Sequence, residues 1–217
     1  EAAPPAADMG FDAAPPPDTQ RLSAQAPHNY FLWYWVVVDV YVYGVLVVVF
    51  SRISRNKNTK YTALTPNERG FNDALNANVD EVAIFTAASE TFCKKNTNCD
   101  IETSLKRFVP ITGKASKLNI PVRGYISCAT HCPYENFVNP KIVGQIANDL
   151  FKMGCYEISL GDTTGKGTPE QTLEVVKECL KYLSADKLAG HFHDTYRNAL
   201  DNINAVSYTH LRAHETP

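Results

Sequence analysis

The sequence predicts an α/β barrel of parallel strands, and two observations lead to this fold class. First, after Thr59 short apolar runs alternate regularly with longer segments of helical spacing. This alternation is typical of parallel strands joined by helical crossovers. Second, polar residues recur along one side of several strands. An open doubly wound sheet would bury both faces under apolar helices, whereas one face of a barrel strand points to an interior that can carry a site. A barrel is therefore favoured.

The predicted elements follow in chain order. A short run at 60–64 precedes a helical segment that contains Phe71, Leu75 and Val79. The further strands are predicted at 82–88, 122–128, 155–160 and 188–193, and the further helices at 101–118, 142–153 and 169–183. A run with helical spacing, Ala199, Leu200 and Ile203, follows the last strand. Because side chains alternate along a strand, three polar rows are expected on the interior face: Arg123, Tyr125 and Ser127; Glu157 and Ser159; His191 and His193.

The last predicted strand ends in two histidines, His191 and His193, on either side of Phe192. Both imidazoles should therefore point the same way. Two imidazoles at the carboxyl end of a strand can hold a divalent metal. Hydrogen bonding of one or both rings in the core is the alternative.

Two loops that follow strands contain further candidates. Asp162 lies where a barrel strand ends, a position at which a carboxylate often takes part in chemistry. It begins a glycine-rich loop, 161–169, that could approach a phosphate or coenzyme tail or could be only a tight turn. Lys94, Lys95 and Asn96 follow another strand and could meet an anionic substrate, or could lie on the solvated surface.

Composition excludes some functions. With 217 residues, 44% hydrophobic and 20% charged residues and a net charge of -2, the chain suits one domain and gives no electrostatic case for nucleic acid. Six cysteines without a CxxC pair indicate reduced thiols in an intracellular compartment. Cys128, His131 and Cys132 could bind zinc, but this cluster lacks a fourth ligand.

Composition also divides the chain into four parts. Residues 1–29 are rich in Pro and Ala and are expected to be disordered. Residues 30–57 hold a hydrophobic run with a basic flank, for which a membrane span, one or two strands and sequence foreign to the mature protein all remain open. Residues 58–206 form the predicted barrel domain, and 207–217 are expected to be a non-native tail. No transit peptide is readable.

Several long motifs, spread from about Lys60 to Asn204, resemble the 3-hydroxy-3-methylglutaryl-CoA lyase family. They are LTPN (64–67), IFTAASETFCKKNTNC (84–99), VRGYISC (122–128), CPYE (132–135), GCYEISLGDTTGKGTP (154–169) and HFHDTY (191–196). The resemblance implies an incomplete (β/α)8 TIM barrel, about strands three to seven of eight. The HxHD motif alone would also fit isopropylmalate and homocitrate synthases.

The resemblance also implies a function and a site. The family cleaves its acyl-CoA substrate into acetyl-CoA and acetoacetate, in leucine degradation and ketone body formation, with Mg²⁺ or Mn²⁺ as the divalent metal. By resemblance, His191 and His193 are metal ligands, and Asp162 and His191 assist proton transfer. The remaining implied contacts are Arg123, Tyr125 and Thr163 at the acyl site and Lys95 and Asn96 on the coenzyme side. The mitochondrial matrix is the expected location, with the cytosol or peroxisome as alternatives, and the complete enzyme could be a homo-oligomer.

The chain departs from the family at both ends. The family's first strand carries an Arg-Asp pair, and its last strand leads to a glycine-rich loop with a catalytic cysteine; neither is found. Arg197 and Asn198 stand where the family usually has Gly-Gln. We therefore expect an incomplete, inactive fragment of a lyase. The alternatives are a related metal-dependent condensing enzyme and a non-catalytic, membrane-anchored partial barrel.

Overall fold

The computed structural model describes residues 49–50, 52–207 and the backbone of 212–213. The segment 1–29, nearly all of the hydrophobic run 30–50 and most of the tail 207–217 lie outside these residues. Within the described part, no helix combines the length and the apolarity needed to cross a bilayer.

A parallel sheet flanked by helices forms the described domain. The strands are β1 (Thr62–Leu64), β2 (Glu81–Ala87), β3 (Val122–Ser127), β4 (His131–Cys132), β5 (Asn136–Phe137), β6 (Glu157–Asp162), β7 (Leu188–Phe192) and β8 (Arg212–Ala213). The helices are α1 (Glu68–Asn76), α2 (Glu90–Thr97), α3 (Ile101–Lys117), α4 (Pro140–Lys152), α5 (Pro169–Cys179) and α6 (Ala199–Ser207), with a 3₁₀ turn at Ala185–Lys187.

The sheet order is β1-β2-β3-β6-β7-β8, and every pairing in it is parallel. Neighbours in the chain are neighbours in the sheet, as in a barrel, apart from the small antiparallel hairpin β4–β5 that follows β3. The structure is therefore a partial α/β barrel, and the predicted fold class is confirmed.

Helix starts are fixed by side chains that accept hydrogen bonds from free backbone amides. The hydroxyl of Thr168 accepts from the amide of Gln171, while the Gln171 side chain accepts from the Thr168 amide, so α5 begins with a reciprocal capping box. Pro169 follows as the first helical residue, where its missing N–H costs nothing. This capping fixes where the glycine-rich loop ends and α5 begins.

The strands have two distinct faces. Apolar side chains such as Ile84, Ile126 and Ile158 are buried against the helices. The opposite face carries the predicted polar rows. Glu81, at the start of β2, accepts hydrogen bonds there from Thr62 and from the Tyr156 hydroxyl, at 3.3 and 2.8 Å. Arg123 and Tyr125 pair with Glu157 and Ser159 in the ladder, so these polar rows lie side by side on that face, as their spacing predicts.

The structure adds three elements to those predicted. Helix α2 contains Lys95 and Asn96, which the sequence placed in a loop. Ser89 caps this helix by accepting from the amide of Phe92, and Asn98 ends it in the left-handed conformation with φ 53°. The hairpin β4–β5 and the short strand β8, which pairs with β7, were also not predicted. The tail expected to be non-native therefore contributes two residues of backbone to the sheet.

Candidate active site

The paired histidines lie at the carboxyl end of β7. His191 pairs with Gly161 of β6 in the ladder, and His193 follows just beyond the strand. The Nε2 atoms of the two rings are 3.1 Å apart, and the ring planes are inclined by 69°. His191 is half-buried and His193 is exposed. The alternation of the strand therefore brings both imidazoles together, as predicted.

The spacing of these nitrogens suits a shared divalent cation. Two ligand atoms at about 2.1 Å from one cation and at right angles to each other are about 3.0 Å apart. The Nε2 atoms of His191 and His193 are separated by nearly this distance, which is also hydrogen-bond distance when one ring donates to the other. Among the residues that the structure describes, no group of three or more His, Cys, Asp or Glu side chains is placed to hold a metal ion. The pair thus fits adjacent positions in an octahedral shell and needs further ligands.

The carboxylate of Asp162 lies on the opposite side of the sheet. Asp162 pairs with Phe192, one position out of phase with His191, and it lines a small cavity with Thr172 and Val176 of α5. Its side chain is 1% exposed. One oxygen accepts from the Thr130 hydroxyl at 2.9 Å, and the other accepts from the Gly167 amide at 2.9 Å. Hydrogen bonds therefore fix the Asp162 carboxylate to the loop after β6, and its part in catalysis stays a prediction.

Arg123 and Tyr125 lie on the interior face but below the histidines. Arg123 pairs with Glu157 in the ladder and forms an ion pair with its carboxylate. Glu157 is four residues before Gly161, so this pair lies about 13 Å along the strands from the level of His191. The Tyr125 ring lies between these levels, 5.5 Å from the Arg123 guanidinium carbon. Tyr125 can line the interior near the histidines, whereas the charge of Arg123 is neutralised by Glu157.

Lys95 and Asn96 lie on α2, next to the β4–β5 hairpin. The Lys95 ammonium is 4.0 Å from the centre of the exposed Tyr134 ring, which is favourable for a cation. Glu135 of the same hairpin accepts from the amide of Thr91 at 2.7 Å. These contacts hold the hairpin on the first turns of α2, and they leave Lys95 exposed.

Thr163 has a structural contact in addition to its predicted place at the acyl site. Its hydroxyl accepts from the amide of Cys128 at 2.8 Å. Burial raises the pKa of the Cys128 thiol to about 12, with smaller contributions from Cys132 and the Asp162 carboxylate. Cys132 is buried as well, and its sulfur accepts from Ser89 and from the Tyr134 amide. Of the side chains that the structure describes, no three from His, Cys, Asp or Glu are grouped to hold a metal ion, so the geometry does not favour zinc at Cys128, His131 and Cys132.

Sequence reasoning did not select three residues that the structure places at the site. Ser127 is level with Gly161 and His191 on the interior face, because β3 and β6 pair two and four residues earlier. Gly165 lies against the backbone of His193. Asn202 of α6 donates to the Gly167 carbonyl at 3.0 Å. Strand alternation predicted Ser127 on the interior face but assigned it no task; the other two contacts depend on how loops pack.

Paired imidazoles at the carboxyl ends of parallel barrel strands are the arrangement of an α/β-barrel enzyme, whose active site lies at this end. The chain belongs to the HMGL-like family, whose model matches residues 48–207.

Relatives of this family are close in sequence. The chain is 48% identical over 157 residues to the 3-hydroxy-3-isohexenylglutaryl-CoA/hydroxy-methylglutaryl-CoA lyase of Pseudomonas aeruginosa, covering 72% of this chain and 52% of that protein. It is 50% identical to the cytoplasmic 3-hydroxy-3-methylglutaryl-CoA lyase of Danio rerio, covering 71% and 46%, and 46% identical to the mitochondrial hydroxymethylglutaryl-CoA lyase of Gallus gallus, covering 71% and 52%. The chain thus spans about half the length of these relatives.

Solved structures agree with this assignment. The HMG-CoA lyase of Brucella melitensis superposes with a TM-score of 0.76 at 41% identity, covering 77% of this chain and 59% of that one. An HMG-CoA lyase of Acinetobacter baumannii, solved in complex with coenzyme A and 3-methylmalate, superposes with a TM-score of 0.73 at 28% identity, covering 78% and 55%.

Proposed function

We propose that the protein to which this chain belongs is a carbon–carbon lyase that cleaves 3-hydroxy-3-methylglutaryl-CoA into acetyl-CoA and acetoacetate. The observation that carries this proposal is the identity of 48% and 50% with two proteins named as lyases of this substrate. The His191 and His193 Nε2 atoms, 3.1 Å apart at the active end of the barrel, are placed to hold the divalent cation that such a lyase needs. The proposal is also supported by membership of the HMGL-like family, in which similar proteins are named as lyases of this substrate.

The reaction needs a proton removed and a proton supplied. Loss of the proton from the tertiary hydroxyl lets the C2–C3 bond break, and C3 becomes the ketone of acetoacetate. The bond's electron pair stays on C2 as the enolate of acetyl-CoA, which is then protonated at that carbon. A divalent cation, Mg²⁺ or Mn²⁺, held by His191 and His193 would supply positive charge that favours loss of the hydroxyl proton.

The chain's own residues divide the remaining tasks. We propose that His191 assists proton transfer, as the family resemblance implies, since its half-buried ring belongs to the carboxyl-end layer of the interior. Tyr125 and Thr163 would line the acyl site. Lys95, exposed on α2 beside Asn96, would meet the anionic coenzyme.

Two predicted residues receive different tasks. The ion pair of Arg123 with Glu157 supports a place in the packing of the barrel interior, below the acyl site. The hydrogen bonds of Asp162 to Thr130 and Gly167 support a task in holding the loop after β6 instead of direct proton transfer.

The proposed substrate is an acyl-CoA, and the proposed location is mitochondrial or cytosolic, in keeping with the names of the relatives. A homo-oligomer is proposed for the complete enzyme only. That the 217-residue chain alone has no activity stays a prediction.

The test is an assay of the protein translated from the full transcript, with Mg²⁺ or Mn²⁺ and purified substrates. We expect release of acetoacetate from 3-hydroxy-3-methylglutaryl-CoA, and loss of most of this rate in His191→Ala and His193→Ala. His131→Ala, in the β4–β5 hairpin, is a matched control that should retain the rate. Consumption of acetyl-CoA with a 2-oxo acid, without acetoacetate release, would support a condensing enzyme instead. Normal rates in both active-site variants would contradict the proposal.

A further inference from the structure

We propose that the turn Asp162–Gly165 after β6 positions His193 for cation binding, and that Gly165 is the residue through which it does so. This inference rests on the proposed function, because it takes His193 as a cation ligand. It concerns a positioning task, since Gly165 has no side chain to offer a substrate.

His193 needs support that His191 does not. His191 is held in the parallel ladder by its pairing with Gly161. The strand β7 ends at Phe192, so the backbone of His193 lies beyond the last ladder pair and its side chain is exposed. The distance between the two Nε2 atoms therefore depends on whatever holds the chain after Phe192.

Gly165 supplies that support by direct backbone contact. It is buried and has φ +70°, a conformation that side-chain-bearing residues rarely adopt. A Cβ at this position would lie 2.8 Å from the carbonyl oxygen of His193 and 3.0 Å from the amide nitrogen of Thr195. Both neighbours are backbone atoms that cannot rotate away. The segment 193–195 thus rests on the turn at a distance that only glycine permits.

The turn itself is fixed by Asp162. The Gly165 amide donates to the Asp162 carbonyl at 3.2 Å, which closes the turn. The buried carboxylate of Asp162 accepts from the Gly167 amide and, more weakly, from the Thr164 hydroxyl at 3.4 Å. Asp162 therefore acts, through its carbonyl and its carboxylate, on the backbone that supports His193.

Helix α6 holds the same loop from its other side. The buried Asn202 donates its side-chain amide to the Gly167 carbonyl at 3.0 Å. Asp194, next to His193, accepts from the amide of Ala199 at the start of α6 at 3.1 Å. The loop after β6 and the chain after β7 are thus attached to one helix, so that Gly165 and His193 keep a fixed relation.

The experiment compares two glycines of positive φ in the 217-residue chain. Gly165→Ala places a methyl group against His193, whereas Gly154→Ala, with φ +106°, places one in open space between α4 and β6. Both substitutions strain the backbone, so melting temperature should fall in both. The distinguishing measurements are a Co²⁺ titration followed by absorption and the imidazole ¹⁵N resonances of His191 and His193.

We expect Gly165→Ala to weaken Co²⁺ binding about tenfold or more, as loss of a supporting contact commonly does, and to shift the His193 resonances. Gly154→Ala should change neither. Unchanged binding and resonances in Gly165→Ala, or equal changes in Gly154→Ala, would overturn the inference.

A failure of the proposed function can be distinguished from a failure of this inference. If His191→Ala and His193→Ala bind Co²⁺ as the unaltered chain does, the histidines are not the cation site. If the unaltered chain binds no Co²⁺, the two histidines alone are not enough to hold the ion. The imidazole resonances of Gly165→Ala and Gly154→Ala then decide the positioning inference without reference to a metal.

Discussion

Arg123 on β3 and Glu157 on β6 face each other across the ladder and form an ion pair inside the barrel. Their side chains are 11% and 3% exposed, so water screens neither charge well. The Arg123 guanidinium also lies over the ring of Tyr125. Because this pair lies near the amino ends of the strands, the packing of the interior depends on it more directly than substrate binding does.

We expect Arg123→Gln or Glu157→Gln alone to lower the free energy of unfolding by about 3–5 kcal/mol, because each leaves one buried charge without its partner. The double variant Arg123→Met/Glu157→Leu should recover most of this loss. Urea denaturation of the four proteins measures both effects. A single Arg123 variant as stable as the unaltered chain, with a raised KM in the full protein, would restore Arg123 to the acyl site.

Asp162→Asn should destabilise the fold. The amide nitrogen that replaces one carboxylate oxygen would face either the Gly167 N–H, which can only donate, or the Thr130 hydroxyl, which would have to reverse its hydrogen bond and accept. Loss of a buried acceptor costs about 1–3 kcal/mol, so the melting temperature should fall by several degrees. Asp201→Asn makes the same change on the exposed side of α6 and serves as the control. An unchanged melting temperature in Asp162→Asn, with reduced turnover in the full protein, would instead indicate direct chemistry.

The hairpin should loosen from α2 in acid. Hydrogen bonds from Thr91 hold the pKa of Glu135 below its ordinary value of 4.5. The charged form is favoured by folding, so this contact contributes fully above about pH 4.5 and is lost as the pH falls through the lower folded-state pKa. The amide resonance of Thr91 should follow this titration. In Glu135→Gln that pH dependence should disappear; if it persists, another group causes it.

The six cysteines should differ sharply in alkylation. Burial raises the pKa values of Cys128, Cys155 and Cys179 to about 12, so at pH 8 only about one thiol in 10⁴ is ionised at each. Cys99 is only partly buried. We expect iodoacetamide at pH 8 to modify Cys99 first and these three only after denaturation, as peptide mass spectrometry can show. Rapid modification of Cys128 in the folded chain would contradict its burial.

The sequence predicts the main strands and helices because their period is local. Alternation places His191 and His193 together, and the same rule places Arg123 and Tyr125 in the interior. Helix α2 was not predicted, because its buried face contains little more than Cys93 and so gives no helical pattern of apolar residues. Its start depends on a cap from Ser89. The β4–β5 hairpin has only two pairs of residues, too few for a periodic pattern.

The site was harder to predict than the strands, because the type of a residue at a strand end does not show whether its side chain faces the barrel interior or the helices. Asp162 has the chemistry of a general base and the expected place at a strand terminus, yet its register with Phe192 turns it toward α5. Arg123 has the charge expected for an acyl-CoA, but Glu157 lies opposite on the neighbouring strand. These contacts depend on pairing between distant segments, which a single sequence does not report, and the tasks predicted for Asp162 and Arg123 stay predictions.

Gly161 and Asp162 are adjacent on β6 and therefore belong to opposite faces of the sheet. This arrangement limits how the strand can change over evolutionary time. Insertion or deletion of one residue within the strand would exchange its two faces. The carboxylate would then enter the interior opposite His191, and the loop that supports His193 would lose its anchor. Substitutions in β6 can accumulate one at a time, but its length is fixed. The connection between α5 and β7 bears no such constraint, so variation in length among homologues should concentrate there.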